Sequence, residues 1–301
     1  MQILVVSSTL LGMTVKMKTL EIDYKMSLEF SSPVTEQYFL LRCVPVSQGC
    51  QVVVSRNLEI TPQTPITTFT DSFGNRVYQG LIEKSHSSFS FHSTAKVLVD
   101  GENGIHARCQ PYFKYETELT RCSKKMKEFL YETFKDSELL ESIKAKKIKN
   151  SKIKEFALVL MNAVHQKIKY EPSSTNIKTT AAEAFEKEKG VCQDFSHIFI
   201  SLCREAGVPS RYIAGVSVGE GATHAWSDFF VPYDDYISND ASLIEGRWFG
   251  ADCTRNKIAD DIYCILSSGR DFEDCKVDVG IFRGNADQIM TVFVKTSESE
   301  K

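Results

Sequence analysis

The apolar period of this chain changes twice, and those switches limit what it can fold into. Within residues 18–100 the period is two: Leu20, Ile22, Tyr24, Met26, Leu28 and Phe30 alternate with polar residues, as on a half-buried strand. From Glu118 it becomes three to four. Ile153, Phe156, Ala157, Leu160, Met161, Val164 and Ile168 form one helical stripe, and Phe195, Ile198, Phe199, Leu202 and Ala206 form another. From Arg211 it returns to two, in 211–218 and again in 223–231. Strands, then helices, then strands predict an α+β chain.

The first block reads as a small antiparallel β-sandwich over residues 18–100. Pro33 is expected to break its first strand, and residues 71–75 read as a turn between later ones. Residues 101–110 read as a hinge. A second domain is expected over 111–296, with a helix over 118–134, N-caps at Ser151 and Thr180, and two closing strands within 278–294.

Composition narrows the function. Nine cysteines lie scattered with no C-x-x-C pair, which argues against a disulfide framework and a paired-cysteine zinc site and suits a reducing, cytoplasmic setting. A net charge of −3 gives no electrostatic case for nucleic acid or an anionic membrane. The basic cluster 144–150 is flanked by Glu138, Glu141 and Glu155 and reads as a solvated face. Residues 3–15 are mostly apolar but too short to span a bilayer, and no Lys or Arg precedes Lys16. The natural chain is therefore expected to begin near Met17, without an export signal. No metal or cofactor is expected: Asp234, Asp235 and Asp240 lack the spacing of a calcium loop.

The chemistry centres on residues 190–195, Gly-Val-Cys-Gln-Asp-Phe. Cys192 opens the second helical stripe, which Gly207 and Pro209 close. A helix start presents free N–H groups and a positive dipole end, which favour an anionic sulfur. His224 begins one of the following strands and Asp252 ends the next. A cysteine nucleophile needs a base that holds its proton and returns it to the leaving group, and a carboxylate on the far ring nitrogen orients that base. The backbone N–H of Cys192 supplies one oxyanion donor in this reading, and Tyr170 is a candidate for the second. Gln193 and Trp226 are candidates to line the cleft. His165 and His197 read as structural, and Asp194 as a cap in the first helical turn.

Three strings, in order, resemble the bacterial transglutaminase-like superfamily: Gly-Val-Cys-Gln-Asp-Phe-Ser-His (190–197), Thr-His-Ala-Trp (223–226) and Gly-Ala-Asp-Cys-Thr-Arg-Asn (250–256). Its usual strings are G-V-C-Q-D-F-A-H, S-H-A-W and F-D-P-T-N. Residues 202–212, 269–272 and 282–284 extend the likeness, and residues 18–100 are similar to the β-rich region that often precedes this domain. The resemblance implies a papain-like core, with Cys192 as nucleophile, His224 as base and Asp252 as orienter. It implies a thiol acyl-transfer enzyme acting on a peptide or protein substrate, with water or a lysine amine as acceptor. Cys253 stands where the family has proline, which leaves Asp252 on a more flexible backbone, and the loop 232–246 is longer than usual. A non-catalytic module on the same fold and a zinc site built from Cys192, His224, Asp252 and Cys253 are the rival readings.

Overall fold

The computed structural model describes residues 17–101, 104–233 and 244–299. The expected start near Met17, the export question over 1–16, and Asp234, Asp235 and Asp240 fall on or beyond those limits.

Five strands open the chain: β1 (Lys18–Leu41), β2 (Gln51–Thr61), β3 (Ile66–Thr70), β4 (Arg76–Ile82) and β5 (His86–Val99). β1 buries its alternate residues from Leu20 to Leu28, as the period of two requires. Pro33 does not end it. Pairing with β5 is interrupted between Glu29 and Val34, so the proline's missing N–H costs no ladder bond there. The first half of β1 pairs with β5, and the second half with β4. The expected hinge is a strand as well: β6 (Ile105–Cys109) joins a later sheet.

The helical block contains α1 (Lys124–Thr133), α2 (Leu140–Lys144) and α3 (Ile153–Lys167). α1 starts later than the periodicity suggests, because Ser123 caps it by accepting the N–H of Met126 at 3.3 Å. α3 begins beyond Ser151: a 3-10 turn over Asn150–Lys152 leads into it. Two short parallel strands, β7 (Lys169–Tyr170) and β8 (Lys189–Gly190), bracket α4 (Ala181–Lys187). Thr180 and Glu183 cap α4 reciprocally, at 3.2 Å and 2.8 Å. Then comes α5 (Cys192–Glu205), whose apolar face packs with Phe156, Leu160 and Phe185 in one core.

The second sheet is built from β9 (Ser210–Ser217), β10 (His224–Pro232), β11 (Ile244–Asp252), β12 (Lys257–Ile258) and β13 (Tyr263–Gly269), in the order β12-β11-β10-β9-β13, with β6 beside β11. Phe229 and Ala251 face the helices, while Trp226, Phe230 and Trp248 fill a core on the opposite face. The fold is therefore α+β, with α5 packed across β9 and β10.

A short helix, α6 (Phe272–Cys275), precedes β14 (Asp278–Arg283) and β15 (Gln288–Glu298). Both closing strands pair with β1, so they belong to the first sheet and not to the second. The division expected from sequence therefore does not follow the sheets, because strand pairing over such separations leaves no local signal. The two sheets also share a core, in which Val216, Cys264 and Leu266 pack with β1 and β5. Two side-chain amides lock them together. Gln51 donates to the Ile265 carbonyl at 2.9 Å and accepts its N–H at 2.8 Å, and Asn75 does the same for Ser268, at 2.8 Å each way. These bonds satisfy backbone groups of β13, an edge strand that would otherwise present them unpaired.

Candidate active site

Gly190 has to be glycine. A Cβ there would lie 2.6 Å from the Asp194 carboxylate, which folds back over the chain to accept the Val191 N–H at 2.8 Å and the Thr175 hydroxyl at 2.6 Å. Asp194 is thus a cap, as its position in the first turn suggests. It sets the sharp entry of β8 into α5 and leaves Cys192 as the first helical residue. The N–H groups of Cys192 and Gln193, at that helix start, have no carbonyl partner within the helix.

His224 packs its ring beside Trp226 and Tyr263, and Asp252 accepts from the Tyr263 hydroxyl. His224 and Asp252 both occupy strand ends. His224 Nε2 lies 2.7 Å from Asp252 Oδ2, and Cys192 is close enough to the ring to favour its protonated form. With Nε2 engaged by the carboxylate, Nδ1 is the nitrogen left for the sulfur. Burial disfavours the imidazolium, but the bonds and charges of Asp252 and Cys192 outweigh it and hold His224 at about 9. Asp252 is fully buried, which penalises its charge; His224, Tyr263 and backbone N–H donors reverse that and hold it below the usual carboxylate range. Oδ1 accepts from Thr254 N at 2.9 Å and Arg255 N at 3.2 Å. His165, on α3, meets the Cys253 carbonyl at 2.9 Å and Cys253 is buried in the helical core. The cysteine that stands in place of proline therefore leaves Asp252 on a firmly held turn, contrary to the flexibility expected.

The flanking residues differ in what they do. Trp226 is buried and stacks on His224, with ring centroids 6.2 Å apart and planes at 28°. Two glycines on neighbouring strands make its slot: a Cβ on Gly215 would come within 2.4 Å of the indole, and one on Gly250 within 3.3 Å. Beside it lies a buried ion pair, Arg211 Nη2 to Asp228 Oδ2 at 2.7 Å. Trp226 is thus a wall behind the histidine and not part of an open cleft. Gln193 is buried and donates to the Ile177 carbonyl at 3.3 Å. Tyr170 is half-exposed beside Gly190; partial burial and then the proximity of Cys192 and Glu220 hold its phenol above the ordinary range. His197 is buried and accepts the Phe272 N–H at 3.2 Å; burial, then Arg204, push it down to about 3, so it is neutral and structural.

Two residues of the site carry no signal in the sequence. Tyr263 donates to Asp252 Oδ2 at 2.8 Å, the same oxygen that binds His224. Arg255 donates to the Tyr263 hydroxyl at 3.2 Å and the Ser217 hydroxyl at 2.9 Å, and is ion-paired with Glu220. Among the described residues no group of three or more His, Cys, Asp or Glu side chains could hold a metal ion, and no helix is long and apolar enough to cross a membrane.

Comparison with known proteins bears on the family and the fold. Residues 141–241 match the transglutaminase-like superfamily, and residues 20–98 match the bacterial transglutaminase-like N-terminal region. The first match includes Cys192 and His224 and stops short of Asp252. An uncharacterised protein of Mycobacterium leprae is 22% identical over 277 residues, covering 88% of this chain and 94% of its own. Another, from Mycobacterium tuberculosis, is 28% identical over 141 residues, 42% of each chain. A crystal structure from Cytophaga hutchinsonii, described as a "putative cysteine protease", shares the fold with a TM-score of 0.68, at 19% identity over 95% of this chain and 92% of that one.

Proposed function

This chain belongs to the transglutaminase-like superfamily, and from that premise we propose that it is a thiol-dependent acyl-transfer enzyme acting on peptide or carboxamide bonds. Cys192 attacks the carbonyl carbon and forms a tetrahedral intermediate. His224, as the imidazolium, gives its proton to the departing amine, and a thioester on Cys192 remains. Neutral His224 then takes a proton from water, the hydroxide adds to the thioester, and the acid product leaves the regenerated sulfur. Asp252 keeps the ring in the orientation that offers Nδ1 to the sulfur. The N–H of Cys192 serves as one oxyanion donor, and the Tyr170 phenol as the second.

The observation that carries this reading is the 2.7 Å contact between His224 and Asp252, both buried at strand ends, with Cys192 near enough to favour the imidazolium. A binding module would have no need to bury a histidine–carboxylate pair and hold its proton at about 9. The description of the Cytophaga neighbour as a putative cysteine protease agrees with it. Nine free cysteines favour a reducing compartment, so a cytoplasmic location is part of the proposal. A screen of peptides and glutamine donors, with and without an added amine, tests the reading. Cleaved peptide or released ammonia without the amine is expected. Turnover that requires the amine would replace hydrolysis by transglutamination, and no turnover of any donor would contradict both.

A further inference from the structure

Asp252 accepts four hydrogen bonds, and only one of them comes from His224. Two come from its own turn, at 2.9 Å and 3.2 Å. The fourth, from Tyr263, crosses the sheet to the oxygen that binds His224. We propose that Tyr263 is the positioning residue of this site and that Arg255 braces it. The inference rests on the functional reading above, because it assigns how the His224–Asp252 pair is held.

The geometry is closed on three sides. The Tyr263 ring lies edge-on against Trp226, at 5.2 Å and 75°, and 6.2 Å from the His224 ring. The hydroxyl donates to Asp252, and its oxygen in turn accepts from the Arg255 guanidinium at 3.2 Å. That guanidinium also holds Ser217, at the end of β9, and Glu220, in the turn before His224. One cation therefore ties the loop after Asp252 to the loop before His224. That one group braces both halves of the pair.

The device also divides charge. Tyr263 aims a positive hydrogen at Oδ2, and Arg255 Nε stands 3.8 Å from the same atom. Each competes with the imidazolium for the carboxylate. Removing either leaves more of the Asp252 charge to His224 and favours its protonated form. The other ionisable groups around the pair are Cys192 on α5, Glu220 before β10, Tyr170 on β7, Cys253 beside Asp252, and Lys257, whose ammonium lies 5.3 Å from the Tyr263 ring centre. None of them is removed by the substitutions below.

The test follows the His224 ring by NMR across pH in the wild-type protein, Tyr263→Phe and Arg255→Met. It needs no substrate and no reactive sulfur, so it stands apart from the activity screen. Tyr263→Phe keeps the ring in its place. In both variants the midpoint of His224 should rise, by about half a pH unit or more for a lost hydrogen bond. An unchanged or lowered midpoint in a folded variant would overturn the proposal, because a purely structural tyrosine would lower the unfolding temperature and leave the titration where it is. Should Tyr263→Phe fail to fold, Arg255→Met, at a quarter-exposed position, decides the question alone.

Discussion

Gly190 and the Asp194 carboxylate compete for one space: a Cβ on the glycine would stand 2.6 Å from Oδ2. The carboxylate cannot move freely, since it caps the entry to α5 through the Val191 N–H at 2.8 Å. The spacing of glycine, cysteine and aspartate in this stretch is therefore a packing requirement that fixes where the helix, and with it Cys192, begins.

Gly190→Ala should force the cap apart and cost ~1–3 kcal/mol, as overpacking does. The fall in the urea midpoint should come with slower alkylation of Cys192, since the sulfur shifts with the helix start. Thr175→Val, which removes one donor to the same carboxylate, should do less of both.

Gly215→Ala tests the wall behind His224. Its Cβ would meet the Cys264 carbonyl at 2.3 Å and the indole of Trp226 at 2.4 Å. The indole must then tilt, and the histidine stacked on it loses its support. The measurement is the rate of Cys192 alkylation against the urea midpoint: the rate should fall by more than the small change in folded fraction allows.

Stability should peak near pH 6.5, because two histidines act with opposite sign. His224 is held at about 9, above its unfolded value, so its contribution is complete below about 6.5 and is lost as pH rises through 9. His197 is held at about 3, so the unfolded chain binds its proton first, and stability falls as pH drops from about 6.5 toward 3. Each slope is at most ~1.4 kcal/mol per pH unit. Asp252, held low, contributes above about 3.9 and is lost as pH falls through its folded value. Urea midpoints across pH check this: His197→Gln should flatten the acid side, and His224→Gln the alkaline side.

Asp252→Asn should keep the fold and lose function. The amide retains the volume but not the charge that favours the imidazolium, so the His224 midpoint should fall from about 9 toward its ordinary value. Turnover of any peptide or amide substrate should drop by ~10⁴, the scale of the same change in serine triads.

How much of this was legible in the sequence depends on the range of the interaction. Cys192 at a helix start was legible because the period of three to four begins there and Gly207 and Pro209 end it. His224 and Asp252 were legible as strand ends once the period returned to two. Pro33 misled, because whether a proline ends a strand depends on where its partners leave it, and β5 does so between Glu29 and Val34. Nothing local marks β6 as a partner of β11, or β14 and β15 as partners of β1. Tyr263 and Arg255 were invisible for the same reason: their bonds to Asp252 and Glu220 exist only after the strands are assembled.

The most direct test of the account is selective alkylation. Burial pushes the other eight thiols up: Cys50 and Cys122 to about 11, Cys109 and Cys203 to about 12, and Cys43, Cys253, Cys264 and Cys275 in the same direction. A brief exposure of the folded protein to iodoacetamide at pH 7, read by peptide mass spectrometry, should label Cys192 alone, and should label it far more slowly in His224→Ala. Labelling spread over several cysteines, or a Cys192 that reacts equally fast without His224, would contradict the thiol–imidazole pair on which the proposed chemistry depends.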